Sequence, residues 1–361
     1  MRLLFVGKRH PQQRDLIERP YGRFHYLPAA LAALGHEVTV LLCSHRKLPP
    51  IQVRMAGVNW ISEDVRSLGP LILLDQLRRH TKTFQPDWVI GMSDIYYGWL
   101  AQHLARRNRA KFAVDAYDNY EAYMPWNLPL HLLWRRSIRA ADLVTAAGPQ
   151  LAQRLQSHRR GSHPVEVIPM AADPEFRPLD KHACRQALDL PVDARFIGYV
   201  GSWARNRGTT VLFDAFRQAR VKHPDLQLLL SGRPPQWILA EPGVITTGYV
   251  TDAQLPTLIN ALDVACVITA DTSFGRYSYP AKLYEAIACG VPVVATATEP
   301  VRWMLSDRDE YLAPLNDSKA LSERILCQLT TPLAEYGPGE SWGNHAQRLS
   351  QLLAEASREK R

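Results

Sequence analysis

The sequence of 361 residues has no long uncharged apolar run. No window approaches the roughly 20 apolar residues that a membrane-spanning helix needs, and the apolar part of the N-terminal "MRLLFVGKRH" is too short for a secretion signal. These absences predict a protein of the cytoplasm.

Cysteines are few, and no zinc-binding spacing is present. The five cysteines are scattered and have apolar neighbours: Cys43, Cys184, Cys266, Cys289 and Cys327. An odd, scattered set of this kind favours reduced core thiols over disulfides or a metal cluster. A GxGxxG fingerprint is also missing after the first apolar strand, which disfavours a dinucleotide-dependent oxidoreductase.

Acidic residues are fewer than basic residues only in the first half of the chain. Residues 1–178 hold 24 Lys and Arg against 15 Asp and Glu, whereas the remainder holds 19 against 20. This surplus predicts an anionic partner for the first half, either a membrane surface or an anionic acceptor. We expect no nucleic acid partner, because no helix-turn-helix, zinc finger or stacking-sheet signature accompanies the charge.

Strand-like and helix-like segments alternate along the chain in two cycles. "RLLFVG", "EVTVLLC" and "FAVDAY" have the pattern of buried strands in the first cycle, and "RFIGYVG" and "LQLLLSG" in the second. A polar segment with a proline interrupts the rhythm near residue 178. The pattern predicts an α/β protein with domains at 1–178 and 179–335, and a C-terminal helix within 336–361 that packs back toward the first domain.

Residues 278–296, "SYPAKLYEAIACGVPVVAT", predict a helix followed by a buried strand. Pro280 suits the first turn of a helix, and Gly290 suits its end. Lys282 and Glu285 then lie at the start of the helix, where free N–H groups and the dipole favour an anion such as phosphate. The alternative is an ordinary exposed ion pair between residues i and i+3.

A further stretch, residues 126–139, joins aromatic and leucine residues to three arginines in "WNLPLHLLWRRSIR". This composition is typical of an interfacial helix that rests on anionic lipid. A core-packed helix with a basic outer face would give the same pattern, and the sequence leaves both interpretations open.

Four segments together resemble the retaining glycosyltransferases of the GT-B fold, of the family-4 type (glycosyl transferases group 1). They are residues 29–42, 141–178, 198–216 and 280–296. The resemblance covers nearly the whole chain. It implies two Rossmann-like parallel-sheet domains facing each other across a cleft, the first binding the acceptor and the second a nucleotide sugar.

The resemblance implies roles for several residues around the donor. Arg207 and Lys282 would hold the diphosphate, Arg205 would assist, and Gly22 would let the first loop approach the phosphate closely. Glu285 would hold the ribose hydroxyls. The two arginines could instead belong to a solvated loop.

The resemblance also implies a nucleobase pocket and a loop around the donor sugar. The nucleobase pocket would be lined by Arg233, Gly248, Tyr249 and Val250. The sugar loop would comprise Tyr277, Ser278, Tyr279, Pro280 and Ala281. Tyr277 stands where the family often has a glutamate, and Ser202 where many members have an arginine, so the transferred sugar stays open.

Three acidic residues follow a predicted strand of the first domain at intervals of three: Asp115, Asp118 and Glu121. Relatives present a His-Asp pair to the cleft near this position, which makes Asp118 the first candidate for the catalytic side chain. It would orient the acceptor hydroxyl or stabilise positive charge on the sugar. The alternative is that these acids cap the following helix.

The resemblance thus implies transfer from a UDP- or GDP-sugar to a lipid-linked saccharide or a polysaccharide precursor, at the cytoplasmic face of a membrane. No cofactor is expected. We also expect no metal, because the fold works without one, and we interpret the DxD-like string at residues 307–309 as surface. Two alternatives stay open: a nucleotide-sugar epimerase on the same fold, and a non-catalytic nucleotide-sugar-binding subunit, which Tyr277 favours.

Overall fold

The computed structural model describes residues 1–159, 163–201, 203, 208–336 and 339–358. The chain forms two compact units, and each contains its own parallel sheet. Unit 1 comprises Met1–Met170 together with the C-terminal segment from Glu340 onward, and unit 2 comprises Ala171–Gly339.

The sheet of unit 1 has eight strands in the order β3-β4-β2-β1-β5-β6-β7-β8. Their bounds are β1 Arg2–Lys8, β2 Glu37–Ser44, β3 Ile51–Met55, β4 Val58–Asp64, β5 Trp88–Gly91, β6 Lys111–Ala116, β7 Leu143–Ala146 and β8 Glu166–Val167. Its helices are α1 Arg23–Ala33, α2 Val65–Phe84, α3 Ile95–Asn108, α4 Leu128–Ala140 and α5 Pro149–Gln156.

Strand β3 is the antiparallel edge of this sheet and pairs with β4. The remaining strands pair in parallel. Strands such as β5 and β7 are buried along their whole length, as the apolar runs predict for a parallel sheet covered on both faces. Their carboxyl ends therefore lie at one edge, where ligands of such folds bind.

Unit 2 has a six-stranded parallel sheet in the order β11-β10-β9-β12-β13-β14. The strands are β9 Arg195–Tyr199, β10 Leu226–Leu230, β11 Val244–Thr246, β12 Val264–Val267, β13 Val293–Thr296 and β14 Leu312–Ala313. The helices are α6 Lys181–Gln186, α7 Thr209–Lys222, α8 Gln236–Leu239, α9 Leu255–Asn260, α10 Ala281–Ala288, α11 Glu299–Met304 and α12 Ser318–Gln328.

The units divide at other positions than residues 178 and 335. Segment 171–178 belongs to unit 2, because Phe176 packs against its core and the Asn260 side chain donates a hydrogen bond to the Arg177 carbonyl. Segment 336–339 also belongs to unit 2, where the Tyr336 hydroxyl donates to the carbonyl of Val291.

The C-terminal helix α13 (Trp342–Arg358) is part of unit 1. The indole N–H of Trp88 donates to the Ser357 hydroxyl at 2.9 Å, and Ser350 lies 2.8 Å from the ring of His36. Leu349 and Leu353 are buried on the same face of the helix. The chain thus returns to its first domain after completing the second.

Four of the five cysteines are buried thiols, which agrees with the expected core positions. Cys327 is the exception, since it is exposed on α12. Burial raises the pKa of the thiols of Cys43, Cys266 and Cys289 to about 12, so these three stay protonated and unreactive at neutral pH.

Candidate active site

The first turn of α10 holds the predicted anion-binding pair of unit 2. Pro280 immediately precedes the helix, and its ψ of 116° sets the backbone direction there. Lys282 Nζ lies 2.7 Å from Glu285 Oε2, with 28% of the lysine and 11% of the glutamate side chain exposed. The pair is therefore more deeply enclosed than an ordinary surface ion pair, although its geometry is the i,i+3 contact of the alternative interpretation.

Gly275 shapes the loop that leads from β12 into α10, because its backbone lies against the carbonyl group of Ala270. A Cβ atom at Gly275 would lie 2.1 Å from the carbonyl oxygen of Ala270, so no other residue fits there without a backbone shift. The Arg276 guanidinium bonds Asp271 at 2.6 Å, and the Thr296 hydroxyl donates to the Thr269 carbonyl at 2.9 Å. These contacts fix the entry to α10.

The residues of the predicted sugar loop have different environments. Tyr279 is buried and packs edge-on against Trp303, with ring centroids 5.7 Å apart. The ring is therefore part of the core, and the place of Tyr279 in a sugar loop stays a prediction. Tyr277 and Ser278 are partly exposed in front of α10, as is Pro280, and Ala281 is exposed.

The two segments of the predicted nucleobase pocket are joined by a backbone hydrogen bond. The N–H of Gly232 donates to the carbonyl of Gly248 at 2.6 Å. Arg233 and Tyr249 are exposed on these segments, the tyrosine at 70%. Val250 instead packs against the hydrophobic core of unit 2, and the pocket itself stays a prediction.

Arg205 and Arg207 lie outside the described residues, and only their flanks are placed. Trp203 packs edge-on against Tyr199 at the end of β9, with ring centroids 5.9 Å apart. On the other side, a Cβ atom at Gly208 would lie 3.2 Å from Ile268, the residue that follows β12. The start of α7 therefore lies next to the start of the loop that leads from β12 to α10, the helix that carries Lys282.

In unit 1, Gly22 precedes α1 with a φ of +59° and a ψ of −166°. This backbone conformation favours glycine, and a Cβ atom there would have no neighbour within 4 Å among the described residues.

Asp115, at the end of β6, is part of a buried ion pair that the sequence did not predict. Arg23 donates from Nε and Nη2 to its two carboxylate oxygens at 2.8 and 2.6 Å, and the Thr145 hydroxyl donates to Oδ1. Arg23 also donates to the carbonyls of Ile168 and Pro169. Both oxygens of this carboxylate are therefore engaged by neighbouring side chains, and its catalytic role stays a prediction.

Glu121 is likewise held by basic residues. Its carboxylate accepts hydrogen bonds from Arg135 at 2.7 Å and from Arg154 at 2.6 Å, and only 5% of the side chain is exposed. Burial by itself would raise the pKa of this carboxyl, but its basic neighbours outweigh that effect and hold the pKa well below its usual range. Glu121 thus joins the segment after β6 to helices α4 and α5, and its catalytic role stays a prediction.

Asp118 has the environment of a proton-handling group. Burial raises the pKa of its carboxyl to about 7, against the opposing effect of hydrogen bonds from Tyr123, Tyr117 and the backbone of Asn119. Tyr123 donates to Oδ2 at 2.7 Å, whereas the buried Oδ1 has no hydrogen-bond partner among the described residues. Of the three acids, Asp118 is thus the one with an unpaired carboxylate oxygen among the described residues and a pKa near neutrality, and its side chain is buried.

Sequence reasoning missed the partners that separate these three acids: Arg23, Arg135, Arg154, Tyr117 and Tyr123. Arg23 directly follows Gly22 at the start of α1, which was the one local signal for it. The others are distant in sequence or belong to the dense tyrosine cluster after β6, and their pairing depends on the fold.

The DxD-like string at residues 307–309 lies at the surface. Asp307 and Asp309 expose 74% and 78% of their side chains, and Arg302 lies 3.9 and 3.5 Å from them. Within the part of the chain that the structure describes, no group of three or more His, Cys, Asp or Glu side chains could hold a metal ion.

Two family profiles match the chain in succession. The profile described as "Glycosyl transferase 4-like domain" matches residues 23–171, and the profile described as "Glycosyl transferases group 1" matches residues 194–331. The D-inositol 3-phosphate glycosyltransferase of Stackebrandtia nassauensis is 31% identical over 174 residues, which are 43% of this chain and 38% of that protein. The enzyme of the same name from Mycobacterium tuberculosis H37Ra is 30% identical over 173 residues, 44% and 34% of the two chains.

These matches span less than half of the length of either relative. Solved structures match over nearly the whole chain. Sucrose-phosphate synthase from Thermosynechococcus elongatus superposes with a TM-score of 0.70 at 18% identity, covering 99% of this chain and 96% of that one. Anabaena HepE in complex with UDP and glucose gives a TM-score of 0.72 at 16% identity, covering 98% and 99%.

The sequence profiles account for both units in the order in which the chain forms them, and the structural matches show the fold. The chain has the two-domain GT-B architecture and belongs to the group 1 glycosyltransferases.

Proposed function

We propose that the protein transfers a sugar from a UDP- or GDP-sugar to an acceptor hydroxyl with retention of the anomeric configuration. The observation that carries the proposal is the half-enclosed pair of Lys282 and Glu285 on the first turn of α10. This turn follows the carboxyl end of a parallel sheet, where the free N–H groups of the helix and the ammonium group of Lys282 suit a diphosphate.

Unit 2 would bind the donor. Lys282, with Arg207 and Arg205, would hold the diphosphate, and Glu285 would accept hydrogen bonds from the ribose hydroxyls. The nucleobase would lie against the segments joined by the Gly232–Gly248 hydrogen bond. HepE, which shares the fold, has been solved with UDP and with UDP-glucose, which supports a uridine nucleotide here. The proposal includes no metal or cofactor, because the cationic side chains would balance the charge of the leaving group.

Unit 1 would bind the acceptor and supply Asp118. As the glycosidic bond to the diphosphate breaks, the acceptor oxygen attacks the same face of the sugar and its proton passes to the departing phosphate oxygen. The free Oδ1 of Asp118 would orient the acceptor hydroxyl for this attack. With a pKa near 7, the carboxyl is partly ionised at neutral pH and could also stabilise positive charge on the sugar.

We infer that the acceptor is anionic and membrane-linked, either a lipid-linked saccharide or a polysaccharide precursor, and that the protein works at the cytoplasmic face of a membrane. The basic surplus of residues 1–178 supports this inference. The named acceptor of the two relatives, a phosphorylated inositol, is also anionic.

A panel of nucleotide sugars tests the proposal. Slow release of free nucleotide from one donor, accelerated by membrane extract or a phosphorylated acceptor, is the expected result, and the anomeric configuration of the product reports retention. Interconversion of the donor sugar would instead indicate an epimerase. Binding without any turnover in the presence of acceptors would indicate the non-catalytic subunit that Tyr277 favours.

Variants separate the two halves of the site. We expect Arg207→Ala to weaken donor binding, and Asp118→Asn to lower turnover while leaving donor binding intact. Lys319→Ala is the control for the first variant, since it removes an exposed cation elsewhere in unit 2. Equal donor affinity of Arg207→Ala and Lys319→Ala would remove that arginine from the site.

A further inference from the structure

Helices α3 and α4 of unit 1 expose a set of large apolar side chains. Tyr96 and Trp99 are 49% and 42% exposed on α3, and Trp126, just before α4, is 76% exposed. Leu128 and Leu132, one helical turn apart on α4, are 65% and 66% exposed. We call these five residues the α3–α4 face.

The two helices that carry most of these residues pack against each other. A Cβ atom at Gly98 would touch the ring of Trp134 at 3.0 Å, so α3 and α4 approach closely at that point. The Tyr96 hydroxyl lies 4.0 Å from the sulfur of Met124, two residues before Trp126. Large apolar side chains exposed together on neighbouring helices mark a contact site.

The charged side chains within helices α3 and α4 have one sign. Neither α3 nor α4 contains an Asp or Glu, and together they carry five arginines: Arg106, Arg107, Arg135, Arg136 and Arg139. The neighbouring carboxylate of Glu121 is already neutralised by Arg135 and Arg154. Because Arg135 is paired with Glu121, the positive charge beside the apolar side chains comes from the other four arginines.

We propose that the α3–α4 face docks unit 1 on an anionic lipid bilayer. Tryptophan and tyrosine prefer the headgroup level of a bilayer, leucine side chains enter the acyl boundary, and arginines attract anionic headgroups. Buried Leu130, Trp134 and Ile138 hold the opposite side of α4 in the core, so the helix lies on the membrane plane without leaving the fold.

The mode of contact is peripheral. No helix in the described ranges is long and apolar enough to cross a bilayer. The docking rests on this surface alone and is independent of sugar transfer, so each property is measured without the other.

Vesicle co-sedimentation of the full chain tests the proposal. The lipid is phosphatidylglycerol mixed in equal parts with phosphatidylcholine, and phosphatidylcholine alone is the comparison. One variant combines Leu128→Ser with Leu132→Ser, and a second is Arg136→Glu. The matched control combines Val221→Ser with Lys222→Glu on α7 of unit 2, where the valine is 82% exposed.

The wild type should bind the anionic vesicles, release them as salt increases, and bind phosphatidylcholine at least about tenfold more weakly. Removing the two leucines should lower partitioning by about tenfold or more. Reversing the charge of Arg136 should lower it by roughly 25-fold, at about fivefold for each unit of charge. The control should bind like the wild type.

Two results would overturn the proposal. One is equal sedimentation of the α3–α4 variants and the control. The other is a stable dimer in solution that the leucine variant abolishes while vesicle binding is absent, because the face would then be an interface between two copies of the chain. UDP binding, measured on the same preparations, shows that each variant is folded and keeps a failure of docking distinct from a failure of the donor site.

Discussion

Replacement of Asp118 by asparagine should stabilise unit 1 at alkaline pH while it abolishes sugar transfer. The carboxyl is buried, one of its oxygens has no partner among the described residues, and burial raises its pKa from 3.8 to about 7. A group placed for substrate contact strains the folded state, whereas a group that caps a helix supports it.

The magnitude follows from the pKa. The folded-state pKa lies about three units above the ordinary value, and each unit corresponds to about 1.4 kcal/mol. Below the ordinary pKa the carboxyl is protonated in both states, and as pH rises toward 7 the unfolded state releases its proton first, so stability falls. Above about pH 8 the ionised carboxylate costs the fold about 4 kcal/mol. An imperfectly bonded amide costs ~1 to 3 kcal/mol, which leaves a net gain of ~1 to 3 kcal/mol for Asp118→Asn.

Urea unfolding at about pH 5 and about pH 8.5 measures this gain, with hydrogen exchange in β6 reporting unit 1 separately from unit 2. The advantage of the variant should be larger at the higher pH, and its transfer rate should fall by about a hundredfold or more. Asp115→Asn is the matched control and should destabilise at both pH values, because it breaks the bond to Arg23. Equal destabilisation by Asp118→Asn at both pH values would contradict a raised pKa of Asp118 and favour the capping role.

Three further predictions concern residues that shape the two units. Arg23→Lys should destabilise unit 1 by about 3 kcal/mol or more in thermal unfolding, because lysine cannot bond both oxygens of Asp115; an unchanged melting temperature would contradict this. Gly275→Ala forces a Cβ atom against the Ala270 carbonyl and should weaken UDP binding at least about tenfold in calorimetry while unit 1 unfolds normally; normal affinity would argue against a role for this loop. Glu121→Gln should lower the free energy of unfolding of unit 1 at neutral pH, and its difference from the wild type should shrink below about pH 4.5. The reason is that a carboxyl with a lowered pKa contributes stability that is lost as pH falls. Urea titrations measure this difference, and a pH-independent value would contradict the prediction.

The parts of the fold that the sequence predicted depend on local patterns. The run from Pro280 to Thr296 contains a helix start, a helix end and a buried strand, and the structure has α10 ending just before Gly290, with β13 following. The contact between Lys282 and Glu285 could also be predicted from the sequence, because residues three apart on a helix are neighbours on its surface.

The parts that escaped prediction depend on long-range contacts or unusual turns. The three acids after β6 look alike in sequence, and only their partners, such as Arg23, 92 residues before Asp115, distinguish them. The β3–β4 hairpin turns through Ala56 and Gly57, both with positive φ, and alanine is a poor signal for such a turn. Its outer strand is mostly exposed and therefore lacks the apolar run that identified the other strands.

The proposed sugar transfer depends most on binding of the donor diphosphate at the start of α10. Calorimetric titration of UDP into the wild type, Lys282→Ala and Lys319→Ala tests it directly. Loss of a charge-assisted hydrogen bond costs about 1.5 to 3 kcal/mol, so Lys282→Ala should raise the Kd by about 10- to 150-fold and Lys319→Ala should leave it unchanged. The same affinity for UDP in all three proteins would contradict the account.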